Sequence, residues 1–80
     1  MISCDVYKSN RRSLMYLYVS ADSRLSRVPE ALLRTFGEPE FVLNIELTPE
    51  RTLAKEDPQL VMDNLASQGY HLQMPPIEAL

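Results

Sequence analysis

Two residues in this sequence are candidates for nucleophilic or acid–base chemistry, and each is the only one of its type. Cys4 is the sole cysteine and His71 the sole histidine. A thiolate near a base can act as a nucleophile, and a histidine paired with another polar side chain can act as a general base. Cys4 alternates in phase with Ile2 and Val6, which favours a buried core residue. No pattern gives His71 a catalytic partner, so we favour a structural or surface role for it.

Residue spacing does not support a metal or phosphate site. One histidine, one cysteine and carboxylates without ligand spacing do not provide a metal's ligand set. Gly37 and Gly69 each stand where a helix is expected to end, so no glycine-rich loop is available for a nucleotide. We therefore expect no metal and no cofactor. A small enzyme with a shallow cleft, in which Asp5, Arg12 and His71 meet across strands, is the least favoured alternative.

Cations and aromatic rings cluster around one predicted turn near the start of the chain. This candidate partner- or RNA-binding set consists of Tyr7, Lys8, Arg11, Arg12, Tyr16 and Tyr18. Cations that neutralise phosphates and rings that stack on bases suit single-stranded RNA. Tyr16 and Tyr18 share one face of their strand, however, and core packing of both rings is the favoured interpretation.

A domain with one open sheet face also has a surface on which another protein can dock. The bare sheet face, an edge strand or the Met74-Pro75-Pro76 exit are the candidate positions. The charge is −3 overall, with six basic and three acidic residues in 1–34 but two basic and eight acidic residues in 35–80. We therefore favour a non-catalytic protein-interaction module with a protein partner, and an RNA-binding accessory domain is the alternative.

Alternation of apolar and polar residues predicts the strands, and helical spacing predicts the helices. The predicted strands span 2–7, 14–19, 41–47 and 70–74, and the predicted helices span 28–36 and 58–68. Asp57 followed by Pro58 begins the second helix and Gly69 ends it. The order ββαβαβ predicts an α+β two-layer sandwich, with about four mostly antiparallel strands and both helices on one face.

Length and composition indicate one small soluble domain. The chain has 80 residues, of which 45% are hydrophobic and 24% charged, enough for a single core. We expect one domain over 1–76 and a frayed tail over 77–80. No stretch approaches the roughly 20 apolar residues of a membrane span, and Asp5 and Lys8 interrupt any signal-peptide pattern. With a single cysteine, a cytoplasmic location is expected.

Several blocks of this sequence resemble the YcgL family. They are Val6-Tyr7-Lys8-Ser9, Tyr16-Leu17-Tyr18-Val19, Arg27-Val28-Pro29-Glu30, Phe36-Gly37 and Gln68-Gly69-Tyr70-His71-Leu72-Gln73-Met74-Pro75-Pro76. The resemblance covers nearly the whole chain and implies a small bacterial α/β domain. It implies no reaction, ligand or cofactor, and it supplies no catalytic residues. Family members often continue into a polar tail of variable length, whereas this sequence stops at Leu80.

Overall fold

A computed structural model of the chain describes residues 2–51, 53 and 56–74. Within these residues one antiparallel sheet contains β1 (Ile2–Lys8), β2 (Tyr16–Ser20), β3 (Glu40–Leu47) and β4 (Tyr70–Gln73). The helices are α1 (Glu30–Phe36) and α2 (Pro58–Gln68). The strands lie in the order β3-β1-β2-β4, so β3 and β4 form the edges. The predicted α+β class, the antiparallel pairing and the order ββαβαβ are confirmed.

The ends of α2 follow the predicted capping residues. The Asp57 side chain accepts a hydrogen bond from the backbone N–H of Gln59 at 3.0 Å, and Pro58 opens the helix. Gly69 ends it in the left-handed conformation, with φ 89°, and its N–H donates to the carbonyls of Asn64 and Leu65. A left-handed residue after the last turn is the usual glycine stop, so the predicted limits are confirmed.

Two elements begin later than predicted. β2 begins at Tyr16 instead of Leu14, because Leu14 takes a positive φ of 63° in the turn before the strand. α1 begins at Glu30 instead of Val28, because Pro29 has an extended ψ of 141° and precedes the first helical residue. Val28 is nevertheless buried, so the apolar pattern located a core residue correctly but not the start of the helix.

The two faces of the sheet carry separate cores. On the α2 face, Cys4, Val6 and Tyr18 pack with Leu47 of β3 and with α2, which contributes Val61 and Leu65. The α1 face carries the other cluster, formed by Met15, Leu17, Val19, Val28 and Phe36. Each helix therefore covers its own side of the central strands.

This placement corrects the prediction that both helices cover one face. The apolar run of β2 directs Leu17 and Val19 to one side and Tyr18 to the other, and all three side chains are buried. Helices on one side alone would leave half of this run in water, at a cost of about 25 cal/mol per Å² of apolar surface. The chain from 21 to 29 instead carries α1 to the side opposite α2.

The predictions for the C-terminal end of the chain fall outside the described residues, and the absence of a membrane span is tested only within them. The predicted tail over 77–80 and the prolines at 75 and 76 lie outside the described residues. No helix in the described part of the chain combines the length and the apolar content needed to cross a bilayer.

Candidate functional site

The outer edge of β3 carries the largest exposed apolar surface of the sheet. β3 pairs only with β1 among the described strands, so its other edge is unpaired there. Phe41, Val42 and Leu43 are 59%, 40% and 42% exposed, whereas Leu47 at the far end of the strand is buried. An unpaired strand edge with apolar side chains is a template for another chain.

A bulge sets the direction of these side chains. Tyr7 of β1 faces Phe41 and Val6 faces Leu43, so Val42 is an extra residue in β3 between the two pairs. A bulge bends its strand and changes the aim of local side chains. As a result, both Val42 and Leu43 line a groove on the α2 face.

This groove has a volume of about 410 Å³ and a largely apolar floor. Its remaining lining residues come from all four strands and the chain after β3, and they are Val6, Tyr16, Tyr18, Ile45, Arg51, Leu53 and Gln73. The Tyr18 hydroxyl donates to Oε1 of Gln73 at 2.9 Å, which fixes one polar corner. A volume of about 300–1,000 Å³ is common for ligand sites, so the groove can hold one or two apolar side chains of a bound segment.

A buried polar network lies beside the groove under α2. Nδ2 of Asn64 lies 2.8 Å from Nδ1 of His71. An amide N–H can only donate, so Nδ1 accepts, and the proton of the neutral ring is then on Nε2. Nε2 lies 3.2 Å from Oε1 of Glu56, but at an angle that does not satisfy a hydrogen bond. The His71 ring also meets the Tyr18 ring edge-on, with centroids 5.8 Å apart.

This network encloses His71, for which the sequence favoured a structural or surface role. The ring is buried, and its neighbours connect β4 to α2 and to the chain before α2. Burial, followed by the nearby Glu56 carboxylate, raises the pKa of Tyr18 above its usual range. The phenol therefore stays neutral at physiological pH and serves as a hydrogen-bond donor to Gln73.

Cys4 lies in the core, as its alternation with Ile2 and Val6 predicted. Its side chain has no exposed surface, and burial is the main cause that raises the pKa of its thiol from 9.0 to about 12. Such a thiol is almost entirely protonated near neutral pH, and the thiolate is the reactive form.

The predicted basic and aromatic set is divided among four places. Arg11 and Arg12 lie in the turn between β1 and β2, whereas Lys8 at the end of β1 pairs with Glu40 at 3.5 Å. The Tyr7 ring packs edge-on against Phe41, with centroids 5.7 Å apart.

The other two tyrosines lie on the α2 face, where they line the groove. Tyr18 is buried and Tyr16 is half-buried, so neither forms the exposed platform that base stacking requires. The packing interpretation is therefore the better description of both rings. The structure also separates Asp5 from His71, because Asp5 pairs with Val19 on the α1 face and accepts from Asn44 Nδ2 at 2.8 Å. The cleft considered for a small enzyme is not assembled from these residues.

Comparison with known proteins identifies the relatives of this fold. The family model described as the YcgL domain matches residues 4–76. The chain belongs to the YcgL family. A YcgL domain-containing protein of Pseudomonas aeruginosa is 60% identical over 75 residues, which cover 94% of this chain and 77% of the relative. Relatives of the same name in Azotobacter vinelandii and Pseudomonas putida are each 57% identical with the same coverage.

Several residues that form the surfaces of this YcgL domain were missed by sequence reasoning. The missed residues are Phe41, Val42, Leu43, Arg51, Leu53, Gln73, Glu56 and Arg34. Alternation predicted this strand, but it did not show that the bulge at Val42 separates Phe41 on the α1 face from Leu43 on the α2 face, or that both side chains remain exposed. Glu56 precedes a helix cap in a segment without periodicity, so no pattern linked it to His71.

Proposed function

We propose that this YcgL domain is a non-catalytic protein-interaction module that binds an extended segment of a partner protein along the outer edge of β3. The observation that carries the proposal is the exposed run Phe41-Val42-Leu43 on an edge strand beside the apolar groove. Addition of a strand to a sheet edge is a recurrent mode of peptide recognition.

Backbone and side chains would contribute different parts of the binding. Unpaired N–H and C=O groups of β3 would form main-chain hydrogen bonds with the partner, largely independent of its sequence. Side chains at alternate positions of the bound segment would enter the groove beside Leu43 and Ile45. Completing the burial of one half-exposed leucine contributes about 1 kcal/mol, so a few such contacts support a transient interaction.

The charges around β3 favour a partner segment with basic residues beside its apolar ones. Glu38, Glu46 and Glu50 are exposed at or near the two ends of the strand, and the chain from 35 to 80 is acidic overall. Glu40 is already paired with Lys8. Opposite charges at the rim of an interface favour encounter and register more than final affinity, and like charges disfavour the wrong partner.

The same glutamates argue against β3 pairing with itself in a dimer. In an antiparallel pair of β3 strands centred on Leu43, Glu40 of one copy lies opposite Glu46 of the other. Like charges directly across a strand pair are destabilising. A separate protein with complementary charge is therefore the occupant that fits this edge.

The buried state of the chemically active groups supports a binding role over catalysis. The Cys4 thiol has a pKa of about 12, and His71 is enclosed beneath α2. The part of the chain that the structure describes holds no group of three metal-ligating side chains. At this groove the tyrosines support an apolar protein segment over stacked bases, because Tyr16 and Tyr18 are packed into its lining instead of forming a stacking platform.

A displayed library of random peptides provides a direct test. Peptides selected on the wild-type domain are titrated into isotope-labelled protein, and every backbone amide is followed by NMR. We expect the largest shifts at residues 40–47, and selected peptides should be enriched in alternating apolar residues with lysine or arginine beside them.

Two matched variants decide whether the apolar edge carries the binding. Leu43→Ser should weaken the selected peptides about five-fold or more, since it removes a contact worth about 1 kcal/mol. Leu60→Ser on α2 changes a side chain of similar exposure, 49% against 42%, away from the groove, and should bind as wild type does. Equal binding by both variants, or shifts confined to α2 or β4, would reject the proposal.

A further inference from the structure

Three arginines converge on an open depression at the opposite end of the hairpin from the β1 N-terminus. Arg11 and Arg12 in the turn between β1 and β2, together with Arg34 and Thr35 of α1, line a depression of about 480 Å³. The sequence pattern groups only the first two of these cations. Arg34 lies 22 positions beyond Arg12, and the fold adds it to the same surface.

The turn that carries Arg11 and Arg12 is attached to the end of α1. The Ser9 hydroxyl donates to the carbonyl of Phe36 and accepts from the backbone N–H groups of Arg11 and Arg12, each at 3.0 Å. The Asn10 side chain accepts from the N–H of Glu38 at 3.0 Å. The backbone that presents the two guanidinium groups is therefore held in place before any ligand arrives.

Two of the three guanidinium groups at this depression form no salt bridge within the part of the chain that the structure describes. Arg34 pairs with Glu30 at 2.9 Å, one turn earlier in α1. Among the described residues, neither Arg11 nor Arg12 forms a salt bridge. The carbonyls of Leu33 and Phe36 in the last turn of α1 already accept hydrogen bonds. The three arginines are therefore not needed to satisfy the C-terminal end of this helix.

We propose that Arg11, Arg12 and Arg34 bind consecutive phosphate groups of a single-stranded nucleic acid. Guanidinium groups form paired hydrogen bonds with phosphate oxygens, and exposed cations gain affinity by releasing counterions from a polyanion. A depression of about 480 Å³ has room for more than one phosphate, which favours a chain of phosphates over a phosphorylated side chain. The net charge of −3 opposes non-specific binding of any polyanion elsewhere on the domain, so such binding would depend on this basic surface.

The salt dependence of binding to a short fluorescently labelled oligouridylate provides a quantitative test. Each phosphate neutralised on a single strand contributes about −0.7 to the slope of log K against log salt, so three contacts predict a slope of about −2. Affinity should therefore fall about 20-fold between 50 and 200 mM salt. A slope near zero, or no binding at 50 mM salt, would overturn the proposal.

Matched charge-neutralising variants locate the site. Arg11→Gln/Arg12→Gln should weaken binding at 50 mM salt at least about five-fold and reduce the slope to about −0.7. Arg24→Gln/Arg27→Gln removes two exposed arginines that line neither the depression nor the groove and should leave both affinity and slope unchanged. Equal losses in the two proteins would show that net charge alone binds the oligonucleotide and would reject the site. Circular dichroism melts confirm that each variant is folded.

Two competitors distinguish a phosphate chain from a single phosphate. Tripolyphosphate should displace the oligouridylate at a much lower concentration than inorganic phosphate does. Displacement by both at equal phosphate concentration would show a monophosphate pocket and contradict the proposed multiple contacts. An oligothymidylate of equal length should bind with nearly the same affinity, because the arginines contact the backbone and not the bases. Leu43→Ser should bind the oligonucleotide normally, so failure of this proposal is separable from failure of the peptide site.

Discussion

Strands β2 and β3 lie on either side of β1, and both are rich in apolar side chains. In β2, Leu17, Tyr18 and Val19 are all buried, because a helix covers each face of that strand. In β3, Phe41 and Leu43 remain substantially exposed. The comparison shows that apolar content predicts a strand in both cases, but the position in the sheet decides whether its side chains stabilise the fold or remain available to a partner.

Truncating one leucine in each strand should give the largest difference. Leu17→Ala removes a fully buried side chain and should lower the free energy of unfolding by about 2–5 kcal/mol. Leu43→Ala removes a side chain that is already 42% exposed and should cost about 1 kcal/mol or less. Urea unfolding followed by circular dichroism measures both values. Similar losses would mean that the edge of β3 belongs to the core, and the distinction between the strands would fail.

Alkaline pH should lower the free energy of unfolding through ionisation of Cys4, which is buried on the covered side of the sheet. Folding raises the pKa of this thiol from 9.0 to about 12, so between these values the unfolded chain loses a proton that the folded chain keeps. Ionisation then favours the unfolded state, and stability should fall by up to about 1.4 kcal/mol per pH unit as the pH rises above 9. Cys4→Ala should lack this component, and the difference between the two unfolding curves isolates it from the titration of tyrosines.

The rate of thiol modification compares the buried core around Cys4 directly with the exposed edge of β3. Cys4 should react with a thiol reagent at pH 8 only when the domain unfolds, since it is buried and protonated. Val42→Cys in a Cys4→Ala background places a thiol on the exposed edge and should react at the rate of a small-molecule thiol. Rapid labelling of Cys4 in the native protein would show that the helix over the α2 face opens readily.

The helices and strands of this protein were largely predictable, because their determinants are local. Asp57 and Gly69 carry their capping functions in the residue type itself. Alternation identified the residues that share a face in β1 and β2 but not in β3, where the bulge separates Phe41 from Leu43. The side on which each helix packs was not predictable, since alternation does not state what covers a face. The contacts that build the two surfaces join distant residues, such as Ser9 with Phe36 and Glu56 with His71, and no local pattern contains them.

A substitution at Gly37 tests whether the turn between β1 and β2 holds the first half of β3 in place. The φ of 87° and ψ of −160° at Gly37 lie in a region that is nearly restricted to glycine. A Cβ at this position would also clash with the Asn10 side chain and approach Cγ of Arg11 to 2.7 Å. Gly37→Ala should therefore cost about 1–3 kcal/mol and speed hydrogen exchange at the start of β3.

Gly69→Ala is the matched control for backbone strain. Gly69 has a left-handed conformation that alanine adopts at a cost of about 1–2 kcal/mol, and a Cβ there would also approach the Cβ, Cδ and Nε atoms of Arg27 to 2.7 Å, far from β3. Its substitution should leave exchange in β3 unchanged. Accelerated exchange at β3 in both variants would show that the strand responds to global stability and not to its attachment at the hairpin turn.

The smallest effect concerns the polar network that connects α2 to β4. Asn64→Ala removes the partner of a ring nitrogen of His71 in a buried position and should cost at least about 1 kcal/mol. Gln59→Ala, in the same helix, removes an exposed hydrogen bond to Asp63 and should cost less than about 0.5 kcal/mol. Urea unfolding of the two variants measures the difference.

The direction of that difference distinguishes two ways in which a helix can cover a sheet. If apolar contacts of Val61 and Leu65 alone hold α2 in place, the two substitutions should be equivalent apart from helix propensity. A larger loss for Asn64→Ala means that the buried histidine needs its partner, because an unpaired polar atom beneath the helix opposes packing. The network would then explain why the α2 face is closed over His71 and open at the β3 edge, where no comparable polar anchor joins the strand to a helix within the described residues.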